Sequence, residues 1–372
     1  MPNRLRLNSQ SQDGTLTSRD EPIRVGLIGY GYAGRTFHAP LIAATVGLEL
    51  VSVASSDAAK VRRDLPDVET VRDPMALAGT AGIDLVVIAS PNDTHVQLAR
   101  TALDAGKAVV VDKPLTVDLA DARDLADQAQ RLGLLLSVFH NRRWDSDFLS
   151  VKQAIEDGLV GRVTHFESHI DRYRPQVRDR WRENSGSGSG IWFDLGPHLV
   201  DQALQLFGLP DRVQANLAAQ RTGAKTDDWA HVLLECDCRR VVLHAGMLVA
   251  GGSNRFVVHG ETGSLVKRHS DRQEAQLVAG MRPGAPGWGA DPDGLMVYDA
   301  DGAERLLTPV DGDYRHYYAG IARALTGNGT NPVPPAQAVA TMAIIDAAIV
   351  SARTGRVVDM AFTAADRAAF GV

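Results

Sequence analysis

Arg24-Val25-Gly26-Leu27-Ile28-Gly29-Tyr30-Gly31-Tyr32-Ala33-Gly34 is the stretch that decides the fold. Its first five residues form a largely apolar strand run, and the next six have the form Gly-x-Gly-x-x-Gly ahead of a segment with helical spacing. Each glycine has its own reason to be there. Gly29 permits a tight turn, Gly31 lets backbone approach a pyrophosphate, and Gly34 lets helix and strand pack closely. A helix opening there would offer free amides and a positive dipole end to phosphate. Gly29, Tyr30, Gly31, Tyr32, Ala33 and Gly34 are therefore the expected cradle of a dinucleotide.

The same alternation continues outward. Apolar runs at 48–54, 85–89, 108–111 and 134–138 read as strands buried on both faces. The segments 94–103 and 119–132 between them have helical period, with Gly106 and Gly133 placed to end helices. This predicts a doubly wound parallel sheet over residues 22–142, preceded by a polar, disordered tail at 1–21. Beyond it, alternating or β-rich stretches at 163–170, 213–220, 231–235, 241–248, 256–259 and 295–298 predict a large, mainly antiparallel open sheet. Helical segments at 147–156, 197–207, 314–326 and 336–352 complete an α+β domain over 143–372, so the fold class is α/β.

Composition narrows the function. The 372 residues are 44% hydrophobic and 23% charged, a globular balance that excludes disorder across the chain. Lys plus Arg number 39 against 45 Asp plus Glu, a net charge of −6 that argues against nucleic-acid partners. No run of 18 uninterrupted apolar residues is present, so no membrane span is expected. Residues 1–20 lack the apolar core of a secretory signal. Cys236 and Cys238, read as two residues of one strand, form neither a bridge nor a zinc site, which fits a reducing cytoplasm.

Cofactor choice turns on the end of the second strand, where an acidic residue would bind the ribose 2′-hydroxyl of NAD. Here stand Ser55 and Ser56, with Lys60, Arg62, Arg63 and Arg35 available to neutralise a 2′-phosphate, so NADP is expected. Asp57 lies two positions on and would favour NAD in a shifted register. Lys113, in Asp112-Lys113-Pro114, follows the 108–111 strand and so stands at the carboxyl edge, where an ammonium reaches both cofactor and substrate hydroxyl. Pro197 is placed to start a helix, which puts Asp194 and His198 four apart across its entrance. A carboxylate beside the imidazole would raise its pKa and orient it for proton transfer. In the alternative, Asp194 caps the helix and His198 packs in it.

Together these residues resemble the Gfo/Idh/MocA oxidoreductases. The likeness covers roughly 22–355 and rests on the glycine hexapeptide, Ala89-Ser90-Pro91-Asn92-Asp93-Thr94-His95, Asp112-Lys113-Pro114, Asn141-Arg142-Arg143-Trp144 and Asp194-x-x-x-His198. Phe37-His38-Ala39-Pro40 and Arg178-Asp179-Arg180-Trp181-Arg182 resemble most a subgroup that includes NADP-dependent scyllo-inositol dehydrogenase. The resemblance implies a Rossmann domain, an α/β domain whose open sheet forms homodimers or homotetramers, and an active site between them. It assigns Lys113, Asp194 and His198 to catalysis. It assigns Ser90, Pro91, Asn92, His95, Asp112, Asn141, Trp181 and Arg182 to the cofactor, and Tyr173, between motifs, to the substrate beside Lys113, Asp194 and His198.

The expected activity is hydride transfer between NADP and a secondary alcohol of a cyclic polyol or sugar. Three rivals remain: an NAD-dependent aldose or keto-sugar dehydrogenase, a glycoside hydrolase with a recycled NAD, and a non-catalytic dinucleotide sensor. His165, His169, His231, His244 and His259 fall in strands and read as ordinary sheet residues, so no metal is expected. Residues 185–190 read as a mobile loop, and residues 281–294 as a long loop over the site.

Overall fold

The computed structural model describes residues 21–371. The expected tail therefore lies outside the described residues, apart from Glu21. Six strands form the first sheet: β1 (Ile23–Ile28), β2 (Leu48–Ala54), β3 (Glu69–Val71), β4 (Leu85–Ile88), β5 (Ala108–Val111) and β6 (Leu136–Val138). All pair in parallel in the order β3-β2-β1-β4-β5-β6. Val, Ile and Leu fill it because helices cover both faces, and β4 and β5 are wholly buried. The order reverses between β1 and β4, so the loops after β1, β2, β4, β5 and β6 open onto one crevice. β3 has only three residues and no apolar run, which is why the sequence pattern missed it.

The second sheet has nine strands: β7 (Val163–Asp171), β8 (Arg212–Ala218), β9 (Trp229–Cys236), β10 (Arg239–Gly246), β11 (Phe256–Gly260), β12 (Gly263–Lys267), β13 (Leu295–Asp299), β14 (Glu304–Leu307) and β15 (Val358–Asp359). Its order is β14-β13-β12-β11-β7-β10-β9-β8-β15, antiparallel except for β7 with β10. One face packs under the helices Ile191–Phe207 and Pro335–Thr354, burying Phe166, Val232, Leu243 and Val258. The other face stays open, with half-buried Leu233, Val242, Val257, Val266 and Met296 alternating along the strands. Cys238 is not a strand residue as expected. It sits with Asp237, whose φ is +55°, in the two-residue turn that closes β9 onto β10.

The halves share their packing. Tyr314, Tyr317 and Tyr318 are fully buried in the first core, and the helix Pro335–Thr354 sends Val339 and Met342 there and Ile344 and Ile345 into the second. That helix is long and apolar enough to cross a bilayer, but the fold buries 61% of its apolar window. Arg143 locks the joint. Its Nη2 and Nε donate to the buried Asp201 carboxylate at 2.6 and 2.9 Å, and its Nη1 donates to the Pro332 carbonyl at 3.1 Å.

The helix over the second sheet starts at Ile191, six residues before Pro197. Asp227 explains the difference: its carbonyl and carboxylate accept from Ile191 N and Trp192 N at 2.9 and 2.8 Å, satisfying donors at the helix end. Gly190, at φ +94°, leaves the room this needs, since a Cβ there would lie 2.1 Å from the Asp227 carboxylate. Asp194 and His198 are thus both inside the helix, one turn apart, rather than across its entrance.

Candidate active site

The nucleotide crevice encloses about 560 Å³ along the carboxyl edge of the first sheet. Gly29 turns at φ +96°, where a Cβ would lie 2.5 Å from the Ala89 carbonyl. A Cβ on Gly34 would lie 1.9 Å from the Gly29 carbonyl, whereas one on Gly31 would meet nothing within 4 Å. The loop is therefore packed tight at both ends and open in the middle, where a ligand's phosphates would approach. Tyr30, Tyr32 and Ala33 line the same crevice with Ser55, Ser56, Lys60, Ser90, Pro91, Asn92, Asp112 and Arg182.

Charge at the second strand differs in part from expectation. Asp57 caps the helix Ala58–Asp64 by accepting from Lys60 N at 3.0 Å. Lys60 Nζ reaches back to the Tyr30 carbonyl at 3.0 Å. Arg35 and Arg63 do not line the crevice, because both pair with Asp64, at 2.7 and 3.1 Å. Arg62 is exposed and also stays outside it. Arg72 joins it instead, brought in by β3, the neighbour of β2 that the sequence pattern did not show.

His95 is fully buried and does not line the nucleotide crevice. Its ring nitrogens face the Pro114 and Ser90 carbonyls at 3.0 and 3.1 Å, so it ties together the loops after β4 and β5. The 185–190 segment is exposed at 185–187 and packed only at its end. Gly188, Ser189 and Gly190 are buried, and a Cβ on Gly188 would lie 2.5 Å from Val117, so these glycines serve close approach.

A second cavity of about 390 Å³ adjoins the first and gathers Lys113, Asp194, His198 and Asn141. Lys113 Nζ donates to the Asp194 carbonyl and, at 3.2 Å, to its carboxylate. Burial would raise the Asp194 pKa, but Lys113, Arg182 and Arg172 hold it well below the usual carboxylate range. Asp194 does not raise the pKa of His198, contrary to expectation, because its carboxylate faces Lys113. Burial, with the nearby charges of Lys113 and Arg142, pushes His198 well below the ordinary histidine value, so the ring is neutral at pH 7. Its Nδ1 is enclosed without a partner, which leaves Nε2 to meet the cavity.

Asp112 supports Lys113 from behind. It accepts from Lys113 N at 2.8 Å and lies 3.9 Å from Nε2 of the buried His38, whose Nδ1 contacts the Tyr318 hydroxyl at 2.6 Å. Glu274 enters from the helix Gln273–Val278, accepting from the Tyr32 hydroxyl at 2.8 Å and from Arg142 at 3.1 Å. Burial and Glu274 push the Tyr32 phenol up to about 12. Nothing local in the sequence marked Glu274. Residues 281–294 do not cover this cavity; they bury Trp288 in the first core, where its indole donates to Asp313 at 3.0 Å.

Tyr173 is 61% exposed and lines neither cavity. Its neighbours Arg172 and Arg174 do line the second, as the alternation of an extended segment requires. Trp181 lies in a short 3₁₀ turn, Trp181–Glu183, and its side chain is outside the described residues. Among the strand histidines, His169 and His244 stand with Asp171 on the open sheet face, their ligand atoms within 4.8 Å of one another. That grouping, able to hold a metal ion, was invisible in sequence because β7 and β10 are adjacent only in the sheet.

The family described as "oxidoreductase family, NAD-binding Rossmann fold" matches residues 23–140, and its companion "oxidoreductase family, C-terminal alpha/beta domain" matches 152–360. The chain belongs to the Gfo/Idh/MocA oxidoreductase family. It is 54% identical over 334 residues to the uncharacterized oxidoreductase YdgJ of Escherichia coli, covering 89% of this chain and 96% of that one. It is 35% identical over 343 residues to the NADP(+) scyllo-inositol 2-dehydrogenase IolW of Bacillus subtilis, covering 91% and 96%. A crystal structure from Klebsiella pneumoniae superposes with a TM-score of 0.89 at 55% identity, over 94% of this chain and 98% of that one. The protein is therefore a nicotinamide-dependent oxidoreductase, and the open glycine cradle fits that cofactor.

Proposed function

We propose that the protein transfers a hydride between NADP and a secondary alcohol of a cyclic polyol or sugar. The observation that carries this reading is the convergence of Lys113, Asp194 and His198 in the second cavity, which shares Tyr32, Ala33, Asp112 and Arg182 with the nucleotide crevice. When bound, the nicotinamide supplies the hydride acceptor or donor. Lys113, anchored on Asp194, points its ammonium at the substrate oxygen and stabilises charge developing there. His198, neutral, takes the hydroxyl proton at Nε2 as the alcohol is oxidised and returns it on reduction. Arg182 lies between the two cavities and serves both.

Ser55, Ser56, Lys60 and Arg72 around the ribose end favour NADP, and the NADP-dependent relative supports it. The names of relatives, scyllo-inositol 2-dehydrogenase and the inositol 2-dehydrogenase of Rhizobium meliloti, support a polyol substrate. The half-buried apolar residues of the open sheet face support pairing of copies there into a homodimer or homotetramer. The free thiols fit a cytoplasmic setting.

Initial rates of nicotinamide reduction over inositols and aldoses, with NADP and NAD in parallel, test this reading. Turnover with NADP is expected, and His198→Ala should lower it at least ~100-fold with NADP affinity nearly unchanged. Silence across the panel with NADP still bound would overturn the reading, and glycoside cleavage without net reduction would replace it.

A further inference from the structure

The cavity beside Lys113 and His198 holds more positive charge than a neutral polyol calls for. Its wall carries Arg142, Arg172, Arg174, Arg178, Arg180 and Arg182 as well as Lys113, against only Asp112, Asp194 and Glu274. Several of these cations are already committed. Arg142 pairs with Asp145 and Glu274 at 3.0 and 3.1 Å, Arg180 with Glu183 at 2.6 Å, and Arg172 and Arg182 lie 3.8 and 3.6 Å from Asp194. Arg174 and Arg178 differ. Among the described residues, neither side chain makes a hydrogen bond or an ion pair.

The segment that presents them is built rather than loose. Arg174 N donates to the Met247 carbonyl at 2.7 Å, and its own carbonyl accepts from Arg221 at 3.2 Å. Arg221 is itself buried between Asp228 and Glu183, at 2.8 and 3.1 Å. The buried Glu183 also accepts from Arg178 N at 3.0 Å. Two fixed backbone positions thus bring guanidinium groups without a direct ion-pair partner, Arg174 half-buried and Arg178 exposed, to the cavity that holds Lys113 and His198. Burial, then the repulsion of Arg172, Arg178 and Arg180, lowers the Arg174 pKa, a cost that a bound anion would relieve. The cofactor does not account for them: of the six arginines only Arg182 also lines the nucleotide crevice.

We propose that the substrate is an anionic polyol, bearing a carboxylate or a phosphate, and that Arg174 and Arg178 select it. This rests on the hydride-transfer reading above and adds the substrate's charge to it. A guanidinium fork matches either oxyanion with two parallel hydrogen bonds, which accounts for arginine rather than lysine at these positions.

Binding to the NADPH-loaded protein, read by quenching of nicotinamide fluorescence, tests the proposal. The probes are D-gluconate, D-glucuronate and glucose 6-phosphate, with scyllo-inositol and glucose as neutral controls. At least one anion should bind ~10-fold or more tightly than the neutral compounds, with affinity falling as salt rises. Arg174→Gln combined with Arg178→Gln should remove that preference and raise KM for the anion more than it lowers kcat, while Arg131→Gln, an exposed helix change, should not. The uronate and phosphate arms tell the two oxyanions apart. Equal binding of charged and neutral compounds by the native protein, or a preference that survives the double variant, would overturn the proposal, and the first needs no variant to fold. Turnover of a neutral polyol without anion preference would overturn it while leaving hydride transfer standing. Arginine-dependent anion binding without turnover of any polyol would uphold the selection of an anion by Arg174 and Arg178 and overturn hydride transfer.

Discussion

The two cavities that meet at Asp112 and Arg182 are built in opposite ways. The nucleotide side is a row of loops following β1, β2 and β4, and its shape comes from backbone: a glycine turn at φ +96° and an open face at Gly31. The reaction side draws Tyr32, Lys113, Arg142, Asp194, His198 and Glu274 from both halves of the chain, and its properties come from side-chain charges acting on one another. A backbone cradle needs only local sterics and parallel register, so a short motif reveals it. A charge network depends on which distant groups the fold brings within a few ångströms.

The joint between the halves offers the largest test of that contrast. Arg143→Leu leaves Asp201 buried and unpaired, and should cost about 3–5 kcal/mol in chemical denaturation. The loss should disturb the reaction side, which spans the joint, before the nucleotide side, which lies along the first sheet. A variant that kept full stability would show that the Arg143–Asp201 pair does not hold the halves together.

Acid should come next. Burial holds His140 down to about 4 and pushes His198 well below the ordinary value, so between pH 6.5 and about 4 the unfolded chain binds more protons than the folded one. Stability from these rings is therefore full above pH 6.5 and declines as pH falls through that window, by a few kcal/mol. His140→Asn should flatten part of the decline in melting temperature. An unchanged profile would remove burial of that ring from the account.

The glycine loop separates packing from binding within one motif. Gly34→Ala forces a Cβ against the Gly29 carbonyl and should cost ~1–3 kcal/mol in stability. Gly31→Ala meets no protein atom and should leave stability within ~0.5 kcal/mol while weakening NADP binding. The smallest effect is expected at the ribose end. Lys60→Gln should weaken NADP by about tenfold relative to NAD, roughly one ion-assisted hydrogen bond, whereas Arg63→Gln, paired with Asp64, should not. Equal effects at both positions in a ligand titration would undo the assignment of Lys60.

The linear sequence by itself determined the parallel sheet, the glycine cradle, the open mixed sheet and the place of Lys113, because strand runs and tight turns answer to sterics within a few residues. It also placed Asp194 and His198 together. Tertiary structure decided what those groups are to each other. Asp227, far along the chain, moved the helix start to Ile191; Lys113 took the Asp194 carboxylate, and burial left His198 neutral; alternation put Arg172 and Arg174, not Tyr173, in the cavity. Glu274 and Arg72 arrived only through packing and strand order. Electrostatic roles depend on through-space distance and burial, and neither follows from distance along the chain.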